Sequence, residues 1–324
     1  MLDVLLYVAA YLNNSGASEY LEGRFADADK NYQMALQMAG DSTIHGARIL
    51  ANIAALAQRR NRFSEAEVAY RKVYFVRRTL LGECHTDSVI ALNNIAGALR
   101  MQGNYSDARR LYLQALKSTI EESADHAIIL NNLGDVLRAL GNFAEAERYL
   151  RYSLTIGMHL YGKEHPQVKI AQNNLAEVLE DAGELQAAAN LLERLASDPV
   201  SAANLARVRM KQGRLEEAAA MLEGLKLEPG SLLEAAALHT NAIVARQRGE
   251  LQTARTNFAA SLAIRERLLP AEHPVIAPLL LDYAQLLRKM KMGKEAEVLE
   301  KRVRKSATTS PTIQTIEWKR LLKN

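Results

Sequence analysis

The chain carries one cysteine, Cys84, and one tryptophan, Trp318, in 324 residues. A lone thiol excludes an internal disulfide framework and any zinc site built on several cysteines, and it fits a reducing compartment. Proline (7) and glycine (17) are too few for a collagen-like or linker-like chain. The apolar share of 48% excludes disorder. A net charge of +4 is too small for the footprint of a nucleic-acid or membrane-surface binder. The longest early apolar run, Val4 to Leu12, has nine residues, against roughly 20 needed to span a bilayer. Asp3 stands where a secretory leader carries Lys or Arg, so the expectation is cytoplasmic. Phosphate-binding Gly loops, the His-Glu-x-x-His helix and the Gly-x-Ser-x-Gly elbow are missing, and neither an enzyme nor a cofactor is expected.

What the chain has is repetition. An alanine recurs at Ala28, Ala66, Ala108, Ala146, Ala188, Ala218, Ala254 and Ala296. Five residues before each stands a turn residue: Gly23, Asn61, Gly103, Gly141, Gly183, Gly213, Gly249 and Lys291. Seven residues before each turn lies a second small residue: Gly16, Ala54, Ala96, Gly134, Ala176, Ala206, Ala242 and Ala284. Nine residues after the turn come Tyr32, Tyr70, Tyr112, Leu150, Leu192, Leu222 and Phe258, with Glu300 breaking the series. Small residues let two helices approach, large ones fill the space beside them, and Gly suits a left-handed helix end. The pattern predicts eight helical hairpins, with Lys291 the odd turn.

These units resemble the tetratricopeptide repeat over residues 2 to about 305. His165-Pro166-Gln167-Val168, then Asn173-Asn174-Leu175-Ala176, Gly183 and Ala188, resembles the longer repeats of kinesin light chains. Turn-to-turn intervals of 38, 42, 38, 42, 30, 36 and 42 residues include that longer spacing. The fold class is therefore all-α, a right-handed superhelical solenoid spanning 1–305, with 306–324 as a tail or capping segment. The 30-residue interval predicts almost no loop ahead of Asp198-Pro199 and a change of twist near 198–200. Pro278 falls inside the eighth first helix, which should start late or bend.

The first helix of each hairpin should line a concave groove. Two residues before its small residue stands Asn14, Asn52, Asn94, Asn132, Asn174 or Asn204, replaced by Thr240 and Asp282 in the last two copies. Asn is a mediocre helix former, so its repetition needs a reason. Each amide can bond the backbone of an extended peptide, or hold neighbouring repeats in register; both readings stand. Arg48, Arg59, Arg100 and Arg138 are placed in the groove of repeats two to four, where guanidinium groups suit carboxylates. Repeat five reverses sign with Glu177, Glu180 and Asp181, and Arg207, Lys211, Arg246 and Arg288 follow. Solvated surface charge is the plainer account of any single one.

Kinesin light chains bind short acidic cargo peptides in such a groove, and the resemblance implies that role for Asn52, Asn94, Asn132, Asn174, Arg100 and Arg138, with Arg59 beside them. It implies no motor, since no heptad coiled coil precedes repeat one. The expected partner is a protein or peptide with acidic residues, neither nucleic acid nor membrane, with oligomeric state open. A peptide-responsive sensor and a structural assembly protein are the alternatives. His85, His165 and His273 recur 18 residues before a turn, too far apart for one metal and suited to starting helices. The basic cluster Arg71, Lys72, Arg77 and Arg78 should spread over the outer face of a second helix. Ser310-Pro311 and Trp318 are expected to cap the last repeat or to mimic cargo.

Overall fold

The computed structural model describes residues 2–271 and 273–309, which form sixteen α-helices and no strand among them. Two compact units divide the chain, one up to Asn132 and one from Leu133 on, with the boundary inside one helix. The first unit holds the hairpins α1 (Leu2–Leu21) with α2 (Phe25–Ala39), α3 (Ile44–Arg59) with α4 (Phe63–Leu81), and α5 (Thr86–Met101) with α6 (Tyr105–Lys117). Helix α7 (Ala124–Ala139) carries the boundary. The second unit continues with α8 (Phe143–Tyr161), α9 (Pro166–Asp181), α10 (Leu185–Glu193), α11 (Pro199–Lys211) and α12 (Leu215–Glu223). It ends with α13 (Leu232–Arg248), α14 (Leu251–Leu268), α15 (Ile276–Lys289) and α16 (Gly293–Thr309). The chain is an all-α helical-repeat solenoid, built of eight helix–turn–helix hairpins.

All eight turn residues take left-handed backbone, from φ 59° at Asn61 to 88° at Gly183. Lys291 does so at φ 63° without the help of glycine, so the eighth turn matches the others. The small-against-large packing follows the spacing. All eight alanines five residues past a turn are fully buried. A Cβ placed on Gly134 would lie 2.5 Å from Leu150 Cγ, and one on Gly16 would lie 2.8 Å from the Tyr32 ring. Leu150 and Tyr112 are 0% and 1% exposed, each contributing about 1.5–3 kcal/mol of apolar burial.

Helices α3, α5, α9, α11 and α13 each start on a side chain that satisfies an orphan backbone N–H. Thr43 Oγ1 accepts from Gly46 N at 2.9 Å, and Ser231 Oγ from Glu234 N at 3.1 Å. His85 and His165 use Nδ1 to accept from Asp87 N at 3.1 Å and Gln167 N at 3.2 Å. His273 accepts from Val275 N at 3.2 Å. His85 and His165 therefore start helices, whereas His273 binds the turn ahead of α15, whose N-cap is Val275.

The short interval in the middle has a different origin from the one its spacing suggests. Residues 194–198 still make a turn between α10 and α11. What shrinks most is the second helix: α10 and α12 have nine residues each, against 19 in α4 and α8, while α11 has 13 against 16 in α9. Asp198, held extended at ψ 130° ahead of Pro199, caps α11 through Ser201 N. Helix α15 does start late, at Ile276, which leaves Pro278 in a first turn where its missing N–H costs nothing. Ser310-Pro311 and Trp318 lie outside the described residues.

Candidate functional site

Counting back from each turn residue, the positions two, six, nine and thirteen residues earlier share one helix face. Nine back is the asparagine series. In the first unit this face reads Arg48, Asn52, Ala55, Arg59 on α3 and Ile90, Asn94, Gly97, Met101 on α5. Arg48 and Arg59 are exposed, and neither makes an ion pair or side-chain hydrogen bond among the described residues. Asn52, Asn94 and Asn132 are half-buried. Arg100, one residue off this face, is half-buried and already has a partner.

The amides also tie repeats together. Asn52 Nδ2 donates to Asn13 Oδ1 of the preceding repeat at 2.8 Å, and Asn132 Nδ2 to Asn93 Oδ1 at 2.9 Å. Asn93 Nδ2 in turn donates to Asn94 Oδ1 at 3.3 Å. The acceptors Asn13 and Asn93 are ten residues before their turns. Sequence reasoning passed over that position, although the doublets Asn13-Asn14, Asn93-Asn94 and Asn173-Asn174 display it. A second seam joins the hairpins farther round: Gln102 Nε2 donates to Glu67 Oε2 at 2.7 Å, and Arg60 meets Asp29 at 3.3 Å.

On α7, α9 and α11 the second unit carries charge on the same face. Six residues back stand Asp135, Glu177 and Arg207, and two back stand Asp181 and Lys211. Arg138 places Nη1 2.9 Å from Asp181 and Nη2 2.9 Å from Glu177 and 3.4 Å from Asp135. Arg207 Nε lies 2.9 Å from Glu180, and Lys211 Nζ also lies 2.9 Å from it. Glu180 is 1% exposed at its side chain. Burial opposes its charge, yet the Arg207 and Lys211 cations hold its carboxyl below the usual range. Burial likewise works against Arg138, and Glu177, Asp135 and Asp181 outweigh it, raising its proton affinity. Arg138 thus faces carboxylates of its own chain. Beneath the network the clasp recurs: Asn204 Nδ2 donates to Asn173 Oδ1 at 3.1 Å, both about 5–6% exposed. Asn174 is half-buried and has a partner.

Farther along, His239 Nε2 lies 3.0 Å from Asp282 Oδ2, and Arg246 bonds the Asp282 carbonyl and Gln285. Burial lowers the His239 pKa and the nearby Arg265 adds to this, while the Asp282 hydrogen bond pulls the other way. Arg265 is 8% exposed, donates to Val275 O, and is pushed down to about 10 by burial and by Arg207. The equivalent Arg77 donates to Asp87 O at 3.0 Å. These two arginines fasten the start of the next hairpin, which corrects the assignment of Arg77 to a merely solvated face. Arg288 pairs with Glu300 at 2.9 Å, within its own hairpin.

Among the described residues no helix is long and apolar enough to cross a membrane, and no group of three or more His, Cys, Asp or Glu is disposed to hold a metal ion. A tetratricopeptide-repeat family model matches residues 47–121, 125–196 and 233–309, and a second one matches 199–223. Among solved structures, a tetratricopeptide repeat protein from Parabacteroides merdae is similar at 17% identity and TM-score 0.61, covering 81% of this chain and 98% of that one. A Rap protein complexed with Competence and Sporulation Factor is 18% identical with TM-score 0.55, covering 94% and 76%. A putative kinesin light chain from Podosopora anserina, with nearly identical repeats, is 20% identical with TM-score 0.42, covering 67% and 94%. No curated protein matches.

Proposed function

The chain belongs to the tetratricopeptide-repeat family, and from that premise we propose that it is a cytoplasmic, non-catalytic interaction scaffold for an extended, partly acidic peptide or partner segment. The peptide lies along the first helices of the repeats. Asn52, Asn94 and Asn132 bond its backbone, and Arg59, with Arg48 beside it, receives its carboxylates. The observation that carries this reading is the exposure of Arg48 and Arg59 without a described partner, beside Asn94, whose Nδ2 donates to no described residue. Arg100 already has a partner and takes part only by exchanging it, whereas Arg138 is held by Glu177, Asp135 and Asp181. Ile90, Met101 and Ile128 on the same face favour apolar side chains between the acidic ones.

The test is selection of peptides of about twelve residues from a display library, long enough to span several repeats, followed by calorimetric titration of the best binder at rising salt. Acidic winners whose affinity falls with salt support the reading, because exposed guanidinium charges are screened. Salt-independent binding, or winners without acidic residues, contradicts it.

One observation favours assembly as a second reading. Twelve residues before the turn, inner repeats bury Ile49, Ala91 and Ile129, whereas Tyr11 of α1 is 67% exposed and joins Val4 and Tyr7 in an apolar stripe. Sedimentation that shows oligomers, lost on Tyr7→Glu, selects this reading.

A further inference from the structure

Asn93 stands between two asparagines of the proposed peptide face, one in its own helix and one in the next first helix. Its Oδ1 accepts from Asn132 Nδ2 at 2.9 Å, and its Nδ2 donates to Asn94 Oδ1 at 3.3 Å. Each bond has a direction, and together they form a relay from Asn132 through Asn93 to Asn94. The consequence is chemical. An amide has two N–H donors on nitrogen and two acceptor lone pairs on oxygen. The relay engages the oxygen of Asn94 and leaves its nitrogen to donate. It uses one N–H of Asn132 and leaves the other N–H and the oxygen.

We propose that Asn93 is a positioning residue: it fixes the amide orientation of Asn94 and Asn132, so that Asn94 receives a peptide carbonyl while Asn132 pairs with both the N–H and the C=O of another backbone unit. This rests on the peptide reading above and adds to it the hydrogen-bond pattern that a bound segment must present. The two amides are then unequal. A ligand whose backbone places an N–H against Asn94 meets a donor facing a donor.

The clasp at Asn173 shows that such an orientation is chemically enforced where its partners are fixed. Asn173 Nδ2 donates to Lys169 O at 3.0 Å and to Ser201 Oγ at 2.8 Å. A backbone carbonyl only accepts, so the Asn173 oxygen must face Asn204. Because Asn173 and Asn204 are buried, that clasp serves as an internal control: the same bond without access for a ligand.

The experiment uses the full chain, labelled with nitrogen-15, and follows the side-chain amide resonances of Asn94 and Asn132 in Asn93→Asp, Asn93→Ala and Asn173→Ala variants. Aspartate still accepts from Asn132 but cannot donate to Asn94. In Asn93→Asp the Asn132 resonances should hold their place, while those of Asn94 move as its amide turns to donate inward. In Asn93→Ala both should move. With the selected acidic peptide as probe, both Asn93 variants should bind about tenfold more weakly, the worth of roughly one hydrogen bond. Asn173→Ala should lower the melting temperature and leave peptide affinity unchanged. Unmoved Asn94 resonances in Asn93→Asp would overturn the relay, as would equal peptide affinity in wild type and both Asn93 variants. If the wild type binds no acidic peptide, the peptide reading falls by itself, and the resonances still decide the relay.

Discussion

The two units carry the same asparagine register but surround it with different neighbours. Six residues before the turn, the first unit has Ala17, Ala55 and Gly97, and the second has Asp135, Glu177 and Arg207, then Ile243 and Gln285. With small residues there, Asn52 and Asn94 remain half-open and Arg48 and Arg59 stay exposed. With charged residues there, carboxylates and guanidinium groups of successive first helices meet one another, and Asn204 lies buried beneath them. At this register position the two units set different neighbours beside the asparagines, although Asn132 and Asn174 stay half-buried next to Asp135 and Glu177. The lesson is that like hairpins leave exposed arginines in one unit and pair their charges with one another in the other.

The strongest way to break the comparison is to unlock the second unit. Glu180→Gln removes the carboxylate on which Arg207 and Lys211 converge, and should cost about 3–5 kcal/mol, as breaking a buried pair does, measured by the urea midpoint. The same group gives a pH signature. Its folded pKa lies below the unfolded value, so its stabilisation is present above about pH 4 and is lost as pH falls through the folded pKa. Glu180→Gln should flatten that part of the stability profile.

Next come steric contrasts. Gly134→Ala drives a Cβ into Leu150 and should cost about 1–3 kcal/mol. A Cβ at Gly97 meets only the Tyr112 hydroxyl, at 3.6 Å, so Gly97→Ala should shift stability by no more than about 1 kcal/mol. Gly97→Glu imports the second unit's chemistry into the first. It should weaken acidic-peptide binding by about tenfold or more while the chain still melts cooperatively; unchanged affinity would remove the basis of the comparison.

Deleting amides sharpens it further. Asn94→Ala and Asn132→Ala should each weaken the selected peptide by about tenfold with little change in melting temperature, whereas Asn204→Ala should lower stability by about 1–3 kcal/mol and leave affinity alone. The smallest effect is at His239. Its folded pKa lies below the unfolded value of about 6.5, so the unfolded chain binds the proton first. Stability is complete above that value and declines as pH drops below it. Thermal melts between pH 8 and pH 5 should show this decline, and His239→Gln should reduce it, leaving the part due to His126, whose pKa burial also lowers.

Much of this was legible in the sequence because it depends on local steric needs. Left-handed turns, buried alanines and glycine opposite Leu150 or Tyr32 each leave a fixed residue type at a fixed spacing, and the histidines ahead of Asp87 and Gln167 start helices as their recurrence suggested, while the one ahead of Val275 binds the turn before its helix. The exception was the 30-residue interval, since spacing alone does not say whether a loop or a helix has shortened. The face itself was only half legible. Its asparagines and arginines were visible, but which partner each takes depends on contacts 27 to 43 residues apart in sequence. Arg59 and Arg138 read alike in the sequence, and only the folded chain separates an exposed guanidinium from one held by three carboxylates.

Hydrogen–deuterium exchange with and without the selected acidic peptide bears most directly on the difference between the units. The account predicts protection confined to α3, α5 and α7 as far as Asn132, with α9 and α11 unchanged. Protection centred on α9 and α11, with α3 and α5 unaffected, would contradict it.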